Sequence, residues 1–210
     1  MQMLKNYSVD SMLVLGFTGG SGSGKSLASK FFNKFNITVI DTDSLYREMT
    51  SPGGKCILPI KNAFGDSVID ENGALNRAIM ASIVFHSKEK RQILNTITHK
   101  YVLDEVRSLV DYYKTRNYFA VLVDAPLLFE SGYDKECDYI ISVIADTNIR
   151  ISRIMNRDKI SLEHATSRIN SQLSDDYLKE NSDFVLINNG SLEDLEFQVS
   201  KIVNKIKGEN

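Results

Sequence analysis

Gly19-Gly20-Ser21-Gly22-Ser23-Gly24-Lys25-Ser26 matches the pattern G-x-x-x-x-G-K-[ST], in which a glycine-rich backbone holds the phosphates of a nucleotide. The apolar run at residues 13–18 precedes this stretch and predicts one buried strand of a parallel sheet. After it, apolar residues recur at the spacing of one helix face: Leu27, Ala28, Phe31, Phe32 and Phe35. The order of strand, glycine loop and helix is the context that the motif requires, and it favours a phosphate site over an ordinary Gly/Ser-rich turn.

The residue types of this loop fit the chemistry of phosphate binding. Glycine permits positive φ angles and lets backbone amides approach an anion, because no Cβ stands in the way. A helix that starts near Gly24 would add its unpaired N-terminal amides and the positive end of its dipole. Lys25 would reach the β- and γ-phosphates, and the Ser26 hydroxyl would bind Mg²⁺. The predicted nucleotide-binding residues are therefore Gly19, Gly22, Ser23, Gly24, Lys25, Ser26 and Leu27.

The composition is that of one domain, with or without an inserted subdomain. The chain has 210 residues, of which 25 are basic and 27 acidic, for a net charge of −2. No block of Lys and Arg indicates a nucleic-acid or membrane surface, and no apolar run has the length of a membrane span. Cys56 and Cys137 lie far apart without metal-ligand spacing, which predicts reduced thiols. We therefore expect a cytoplasmic protein, a monomer or weak homo-oligomer, in which residues 1–11 form a disordered leader.

Four more strands are predicted after the glycine loop. Each is a short run of apolar or β-branched residues, at positions 37–41, 118–124, 139–144 and 184–187. Because these runs alternate with helical segments, the predicted fold class is α/β, a doubly wound five-stranded parallel sheet of the P-loop kinase type. Residues 51–116 instead show apolar residues at helical spacing, and the segment is longer than a crossover helix needs. It is predicted to be a helical substrate-binding insert.

Acidic residues follow two of these strands, at the strand ends where open α/β sheets place their ligands. Asp124 ends the third strand, in the position of a Walker B carboxylate beside the bound Mg²⁺. Asp41 ends the second strand and Asp43 comes two residues later, and in an extended chain they would project to the same side. The alternatives are structural: Asp124 would cap a loop, and Asp41 or Asp43 would cap the helix that follows.

Three arginines follow the fourth strand at the spacing i, i+3 and i+7: Arg150, Arg153 and Arg157. A helix would carry their guanidinium groups on one stripe. A further helix is predicted to begin at Ser161, and the two helices would form a basic lid, where a planar guanidinium meets two oxygens of the transferred phosphoryl group. The alternative is a solvated face, on which Asp146 pairs with Arg150.

Size and missing motifs separate the classes of nucleotide-binding protein. A GTPase switch would carry an Asn-Lys-x-Asp string, whereas the nearest string, Asn33-Lys34-Phe35-Asn36, lacks the aspartate. A helicase or transporter ATPase would be longer. A short chain with a helical insert and an arginine lid favours a small-molecule kinase, because such an enzyme must exclude water from its bound ATP.

Several strings together resemble those of the dephospho-CoA kinase family, over nearly the whole chain from Leu13 to Gly190. The narrowest are Pro126-Leu127-Leu128-Phe129-Glu130 and the segment from Asp41 to Arg47. Beside the glycine loop, the others are Phe64-Gly65, Asn72-Gly73-Ala74-Leu75-Asn76-Arg77, Leu94-Asn95 with His99, Arg157-Asp158, Arg168 with Gln172, and Asn188-Asn189-Gly190.

The resemblance implies transfer of the γ-phosphoryl group of ATP, with Mg²⁺, to the ribose 3′-hydroxyl of dephospho-CoA. This reaction is the last step of coenzyme A synthesis. The resemblance also implies three parts of the chain: a nucleotide-binding core at 12–50, 117–145 and 174–207, a helical CoA-binding subdomain at 51–116, and a lid at 146–173.

Roles for single residues come with the same resemblance. Asp43 would orient or deprotonate the 3′-hydroxyl, and Lys25 would act on the phosphates of ATP. The acceptor side would be lined by Arg47, Arg77 and His99. From the lid, the catalytic contribution would come from Arg150 and Arg157.

Two other functions keep the same loop. A kinase for another small acceptor, such as a nucleoside, would share every phosphate-side residue and differ in the insert. A regulatory nucleotide-binding module without catalysis would also need the loop. The release of ADP with different acceptors separates these functions.

Overall fold

The computed structural model of the chain describes residues 12–208, so the predicted leader at residues 1–11 lies outside the described residues. Contacts between residues divide the described chain into two units. The larger unit consists of residues 12–40 and 112–208, and the smaller unit consists of residues 41–111.

A five-stranded parallel sheet forms the centre of the larger unit. Its strands are β1 (Leu13–Gly19), β2 (Thr38–Asp41), β3 (Ala120–Asp124), β4 (Tyr139–Ile144) and β5 (Phe184–Ile187). Their order across the sheet is β2-β3-β1-β4-β5, so β1 is the central strand. The predicted doubly wound α/β fold is confirmed. The glycine loop follows the central strand, near the point where the strand order reverses and such sheets bind ligands.

Helices make up most of the other described residues. They are α1 (Lys25–Phe32), α2 (Thr42–Met49), α3 (Ile57–Phe64), α4 (Arg77–Phe85), α5 (Lys88–Lys114), α6 (Thr147–Asp158), α7 (Leu162–Asn170), α8 (Asp175–Glu180) and α9 (Leu192–Lys207). The insert predicted at residues 51–116 contains α3, α4 and α5, in agreement with its predicted helical character. Within residues 12–208, no helix combines the length and the apolar character that crossing a bilayer requires.

The core of the larger unit lies against the sheet, where β1 and β3 are buried along their whole length. The apolar face predicted for α1 packs there, with Ala28 and Phe32 buried. The rings of Phe17 and Phe32 meet edge to face, with 5.5 Å between their centroids. Burying one such side chain contributes about 1.5–3 kcal/mol. This packing fixes the strand and the helix that the glycine loop joins.

β3 begins later than the sequence predicts, at Ala120 instead of Tyr118. Tyr118 and Phe119 are both partly exposed. The Tyr118 ring packs edge to face on Tyr113 near the end of α5, with 4.9 Å between the centroids. The apolar run therefore extends beyond the strand, because its first aromatic ring packs against a helix.

The smaller unit is helical, and side-chain caps fix its turns. Asp70 Oδ1 accepts the amides two and four residues later, both at 2.9 Å. Asn76 caps α4, and ahead of α5 Ser87 Oγ accepts the Lys90 amide at 3.2 Å. The assignment of functions to a core, a CoA-binding subdomain and a lid stays a prediction, because contacts within the chain do not test it.

Candidate active site

The glycine loop joins the end of β1 to the start of α1, as predicted. Gly22 and Gly24 have φ angles of 77° and 91°, which residues with side chains rarely adopt. Among the described residues, no side chain caps the N-terminus of α1, so its first amides keep their capacity to bind an anion. The loop therefore has the backbone conformation and the helix end that phosphate binding needs.

Lys25 and Asp124 form an ion pair between the first residue of α1 and the last residue of β3. Both side chains are largely buried, with exposures of 13% and 7%. β3 pairs with β1 in a register that places Asp124 opposite Phe17, two residues before Gly19. The sheet thus brings the predicted phosphate lysine and the predicted metal-side carboxylate together.

The oxygen groups at this end of the sheet have the chemistry of an Mg²⁺ site. Mg²⁺ usually binds one or two carboxylates and takes its other ligands from phosphates and water. Asp124 offers a carboxylate, and Ser26 is exposed on the first turn of α1, next to Lys25. The Ser23 hydroxyl is buried and has no hydrogen-bond partner among the described residues. A phosphate oxygen or water bound there would remove a cost of about 1–3 kcal/mol, so these residues fit a bound metal nucleotide.

The three predicted arginines lie on α6, but they differ in their exposure and in their hydrogen-bond partners. Arg150 is 2% exposed, and its Nε atom donates to Ser21 O at 3.0 Å. Its Nη1 atom donates to Asp175 Oδ1 at 2.9 Å. The alternative pairing with Asp146 is wrong, because Asp146 accepts from Asn189 Nδ2 at 2.7 Å instead. Arg150 therefore packs against the glycine loop and does not lie on a solvated face.

Arg157 points toward solvent, with 61% of its side chain exposed. Its Nε and Nη2 atoms donate to the two oxygens of Asp158 at 2.7 and 3.0 Å. Arg168 on α7 binds the same carboxylate. Hydrogen bonds from Arg157 and then Arg168 lower the pKa of Asp158 to about 2. The carboxylate is thus ionised at neutral pH and links α6 to α7.

Asp41 and Asp43 do not share an extended strand. β2 ends at Asp41, and α2 begins at Thr42, because the Asp41 side chain accepts the amides of Asp43 and Ser44 at 3.0 and 3.4 Å. The expectation that both carboxylates project to one side of a strand is therefore wrong, and the cap alternative is confirmed for Asp41. Asp43 is exposed in the first turn of α2, where the helix dipole favours a carboxylate.

Two residues predicted for the acceptor side are placed by α2 and α4. Arg47 follows Asp43 by one helical turn, so both exposed side chains lie on the same face of α2. Arg77 begins α4 and lies over the ring of Tyr46, 5.5 Å from its centroid. Its Nη2 atom donates to Thr50 Oγ1 at 3.2 Å. The structure therefore brings Arg77 against the C-terminal part of α2.

His99, the third of these residues, is half-buried on α5, and burial lowers its pKa below the ordinary value of 6.5.

The lowered pKa of His99 makes stability depend on pH. At a pH between its folded and unfolded pKa values, the unfolded state binds more protons than the folded state. The free energy of unfolding therefore rises with pH in this range and falls on acidification. We expect the free energy of unfolding to decrease below about pH 6.5. In His99→Gln, the free energy of unfolding should depend less on pH. Chemical unfolding at several pH values measures it, with the exposed His164→Gln as control. An unchanged pH dependence in His99→Gln would contradict the assignment.

Most of the partners that hold the loop could not be predicted from the sequence. Gln172 and Asn188 contact loop residues that lie 151 and 165 positions earlier. Both occur in strings that resemble a known family, but nothing in their neighbours indicates a contact with the loop. No feature of the sequence indicated that Asp175 pairs with Arg150. These contacts become visible only when the sheet brings distant segments together.

Comparisons with known proteins agree with one another. The family model described as dephospho-CoA kinase matches residues 13–194. A dephospho-CoA kinase from Fusobacterium nucleatum is 38% identical over 197 residues, which cover 93% of this chain and 100% of that protein. One from Bacillus cereus is 37% identical over 193 residues, which cover 92% of this chain and 96% of that protein. The structure of a dephospho-CoA kinase from Campylobacter jejuni matches with a TM-score of 0.71 at 26% identity, covering 93% of this chain and 98% of that one.

Proposed function

Because the chain belongs to the dephospho-CoA kinase family, we propose that it transfers the γ-phosphoryl group of ATP to the ribose 3′-hydroxyl of dephospho-CoA. The products are ADP and coenzyme A. The observation that carries the proposal is the family match over residues 13–194, which includes the glycine loop, Asp43 and the arginines of α6. The geometry of the loop and its lysine supports the use of ATP as the donor.

On the donor side, backbone amides from Gly22 to Ser26 would bind the phosphates, and Lys25 would place its charge on the β- and γ-phosphate oxygens. Ser26 and Asp124 would hold Mg²⁺, which when bound neutralises charge on the phosphate oxygens. The transition state of phosphoryl transfer is loose and has little covalent chemistry for a protein to perform. Positioning and charge neutralisation are therefore the main tasks of these residues.

On the acceptor side, Asp43 would accept a hydrogen bond from the 3′-hydroxyl, orient its oxygen toward the γ-phosphorus and take its proton. Arg47 and Arg77 would bind anionic groups of dephospho-CoA. His99 would contact the acceptor, and its burial, which lowers its pKa, favours the neutral imidazole there. Residues 51–116 would form the CoA-binding subdomain.

Arg157 would act from the lid at residues 146–173, and we expect Arg157→Ala to lower kcat more than it weakens ATP binding. The contact would form as the lid closes, and losing a charged hydrogen bond costs about 1.5–3 kcal/mol, or about 10- to 10²-fold in rate. Steady-state kinetics and nucleotide titration measure the two effects. Arg107→Ala, which removes an exposed arginine paired with Asp104, is the control. Equal losses in turnover and ATP binding would make Arg157 a ground-state contact.

Arg150 was also predicted to act from the lid. Its buried contacts with Ser21 and Asp175 favour a role in holding the loop. A direct contact between Arg150 and the transferred phosphoryl group stays a prediction.

ADP formation with a panel of acceptors tests the proposed function. We expect ADP to form rapidly from Mg-ATP with dephospho-CoA, and slowly with nucleosides or with no acceptor. Coenzyme A is the matched control, because its 3′-oxygen is already phosphorylated. ADP formation with a nucleoside instead would indicate a different small-molecule kinase. Nucleotide binding without ADP formation for any acceptor would indicate a regulatory module.

A further inference from the structure

Three consecutive carbonyl groups of the glycine loop accept hydrogen bonds from distant side chains. The carbonyls of residues 21–23 accept, in order, from Arg150 Nε at 3.0 Å, Arg153 Nη1 at 3.2 Å and Asn188 Nδ2 at 2.7 Å. Arg153 Nη2 also donates to Asn188 O at 3.1 Å. The side chains of Arg150 and Asn188 belong to buried residues. One side of the loop backbone is therefore anchored at three successive peptides.

This anchoring also sets the direction of the loop amides. In a trans peptide, the carbonyl and the N–H of the next residue point to opposite sides. Because the carbonyls of residues 21–23 face the anchoring side chains, the amides of Gly22 and Gly24 face away from them. The Ser23 amide, between these two, closes a turn onto Gly20 O at 3.1 Å. Amides turned away from the anchors are the groups that can meet phosphate oxygens.

The same anchors explain why three loop positions lack a side chain. A Cβ at Gly20 would collide with Nη2 of Arg150. A Cβ at Gly22 would lie 2.6 Å from the Arg150 carbonyl oxygen, and one at Gly24 would collide with Nδ2 of Asn188. A side chain at Gly20 would have to displace the guanidinium of Arg150, whereas Gly22 and Gly24 also have positive φ angles, which disfavour any side chain.

Gln172 adds a fourth contact, just beyond the end of α7. Its Oε1 atom accepts from the Ser21 amide at 2.9 Å and from Arg150 Nη2 at 3.3 Å. Arg150 also donates to Asp175 through Nη1. Each nitrogen of the Arg150 guanidinium therefore donates a hydrogen bond within the protein. These contacts lie on the anchored side of the loop and leave the side with the amides of Gly22 and Gly24 unoccupied.

We propose that Arg150, Arg153, Gln172 and Asn188 form a brace that fixes the glycine loop in its phosphate-binding conformation before ATP arrives. The brace consists of positioning residues, which act on ATP through the loop backbone, and the inference rests on the proposed use of ATP. Without the brace, the loop populates other conformations, and the apparent affinity falls with the fraction of competent molecules. Once ATP has bound, the loop has its native geometry, so kcat changes little.

Arg153→Met and Asn188→Ala test the brace separately. We expect each to raise the Kd for Mg-ADP and the KM for Mg-ATP about tenfold, with kcat at saturating ATP within about twofold of the wild type. Calorimetric titration and steady-state kinetics measure these values. Asn189→Ala is the matched control, because this neighbouring asparagine binds Asp146 and not the loop. It is expected to keep the wild-type Kd.

Three outcomes would overturn the proposal: an unchanged Kd in both variants, a lower kcat at unchanged Kd, or a lower Tm as the only effect. If Asn188→Ala fails to fold, Asn188→Asp keeps the side-chain volume, removes the donor and should raise the Kd in the same way. A wild-type protein that binds Mg-ADP but does not phosphorylate dephospho-CoA would refute the proposed function and leave the titration as a test of the brace. A wild-type protein that does not bind Mg-ADP would overturn both.

Discussion

Lys25→Met is expected to lower kcat by about 10³-fold in the dephospho-CoA kinase reaction. Lys25 is the first residue of α1, and its ammonium group is held at the end of β3 by Asp124. From this position its charge would neutralise phosphate oxygens that gain charge in the transition state. Methionine keeps the apolar stem and removes the ammonium group. The decrease in kcat therefore measures the contribution of the positive charge. Steady-state kinetics with Mg-ATP and dephospho-CoA measure it.

Stability must be followed alongside, because Lys25→Met removes the lysine partner of the largely buried Asp124. We therefore expect a lower Tm, and kinetics are measured well below it. Lys30→Met is the control, since Lys30 is exposed on the same helix. It is expected to keep the wild-type kcat. A wild-type kcat in Lys25→Met would remove the lysine from the mechanism.

Asp43→Ala is expected to lower kcat by about 10²- to 10⁴-fold, the usual range for a lost general base. The KM for ATP should change little, because the proposed contact of Asp43 is with the acceptor hydroxyl. Asp43 is exposed in the first turn of α2, and its side chain is not the cap of that helix. The substitution therefore tests chemistry with little effect on folding. Initial rates at varied ATP and dephospho-CoA separate the two parameters.

Asp41→Asn is the matched control for this carboxylate. Asp41 caps α2, and asparagine caps helices about as well as aspartate. The variant should therefore keep both its stability and its turnover. If Asp43→Ala retained most of its turnover, Asp43 would have neither a base nor an orienting role.

The glycine loop and the sheet could be predicted because their signals are local. The predicted runs at 139–144 and 184–187 coincide with β4 and β5, since each strand is a short, continuous apolar run in the sequence. The loop was recognisable because strand, glycines and helix follow directly in the sequence. The family resemblance, which rested on several such strings, is confirmed by the match over residues 13–194.

The surroundings of the loop could not be predicted, because helical spacing does not reveal what faces a helix. Arg150 and Arg153 donate to loop carbonyls 129 and 131 positions earlier in the chain. Arg157, on the same predicted stripe, faces solvent and pairs with its neighbour Asp158. The sequence placed three similar side chains on one helix, and only tertiary packing distinguishes them.

Strand periodicity was misleading at the end of β2. It predicted that Asp41 and Asp43 share one side, which holds only while the chain stays extended. Asp41 begins a helix by binding the amides that follow it, and the backbone turns at once. Aspartate followed by Thr42 and Ser44 could also be read as a helix start. In the structure the helix begins at this point, and the strand does not continue to Asp43.

The central claim is that ATP held on the glycine loop gives its γ-phosphoryl group to the ribose 3′-hydroxyl of dephospho-CoA. The position of the new phosphate tests this claim most directly. Proton–phosphorus correlation NMR of the product formed from Mg-ATP and dephospho-CoA assigns that position. We predict one new phosphomonoester coupled to the ribose proton on C3′, with one ADP formed for each product molecule. Phosphate coupled to another position, or released as inorganic phosphate, would contradict the account.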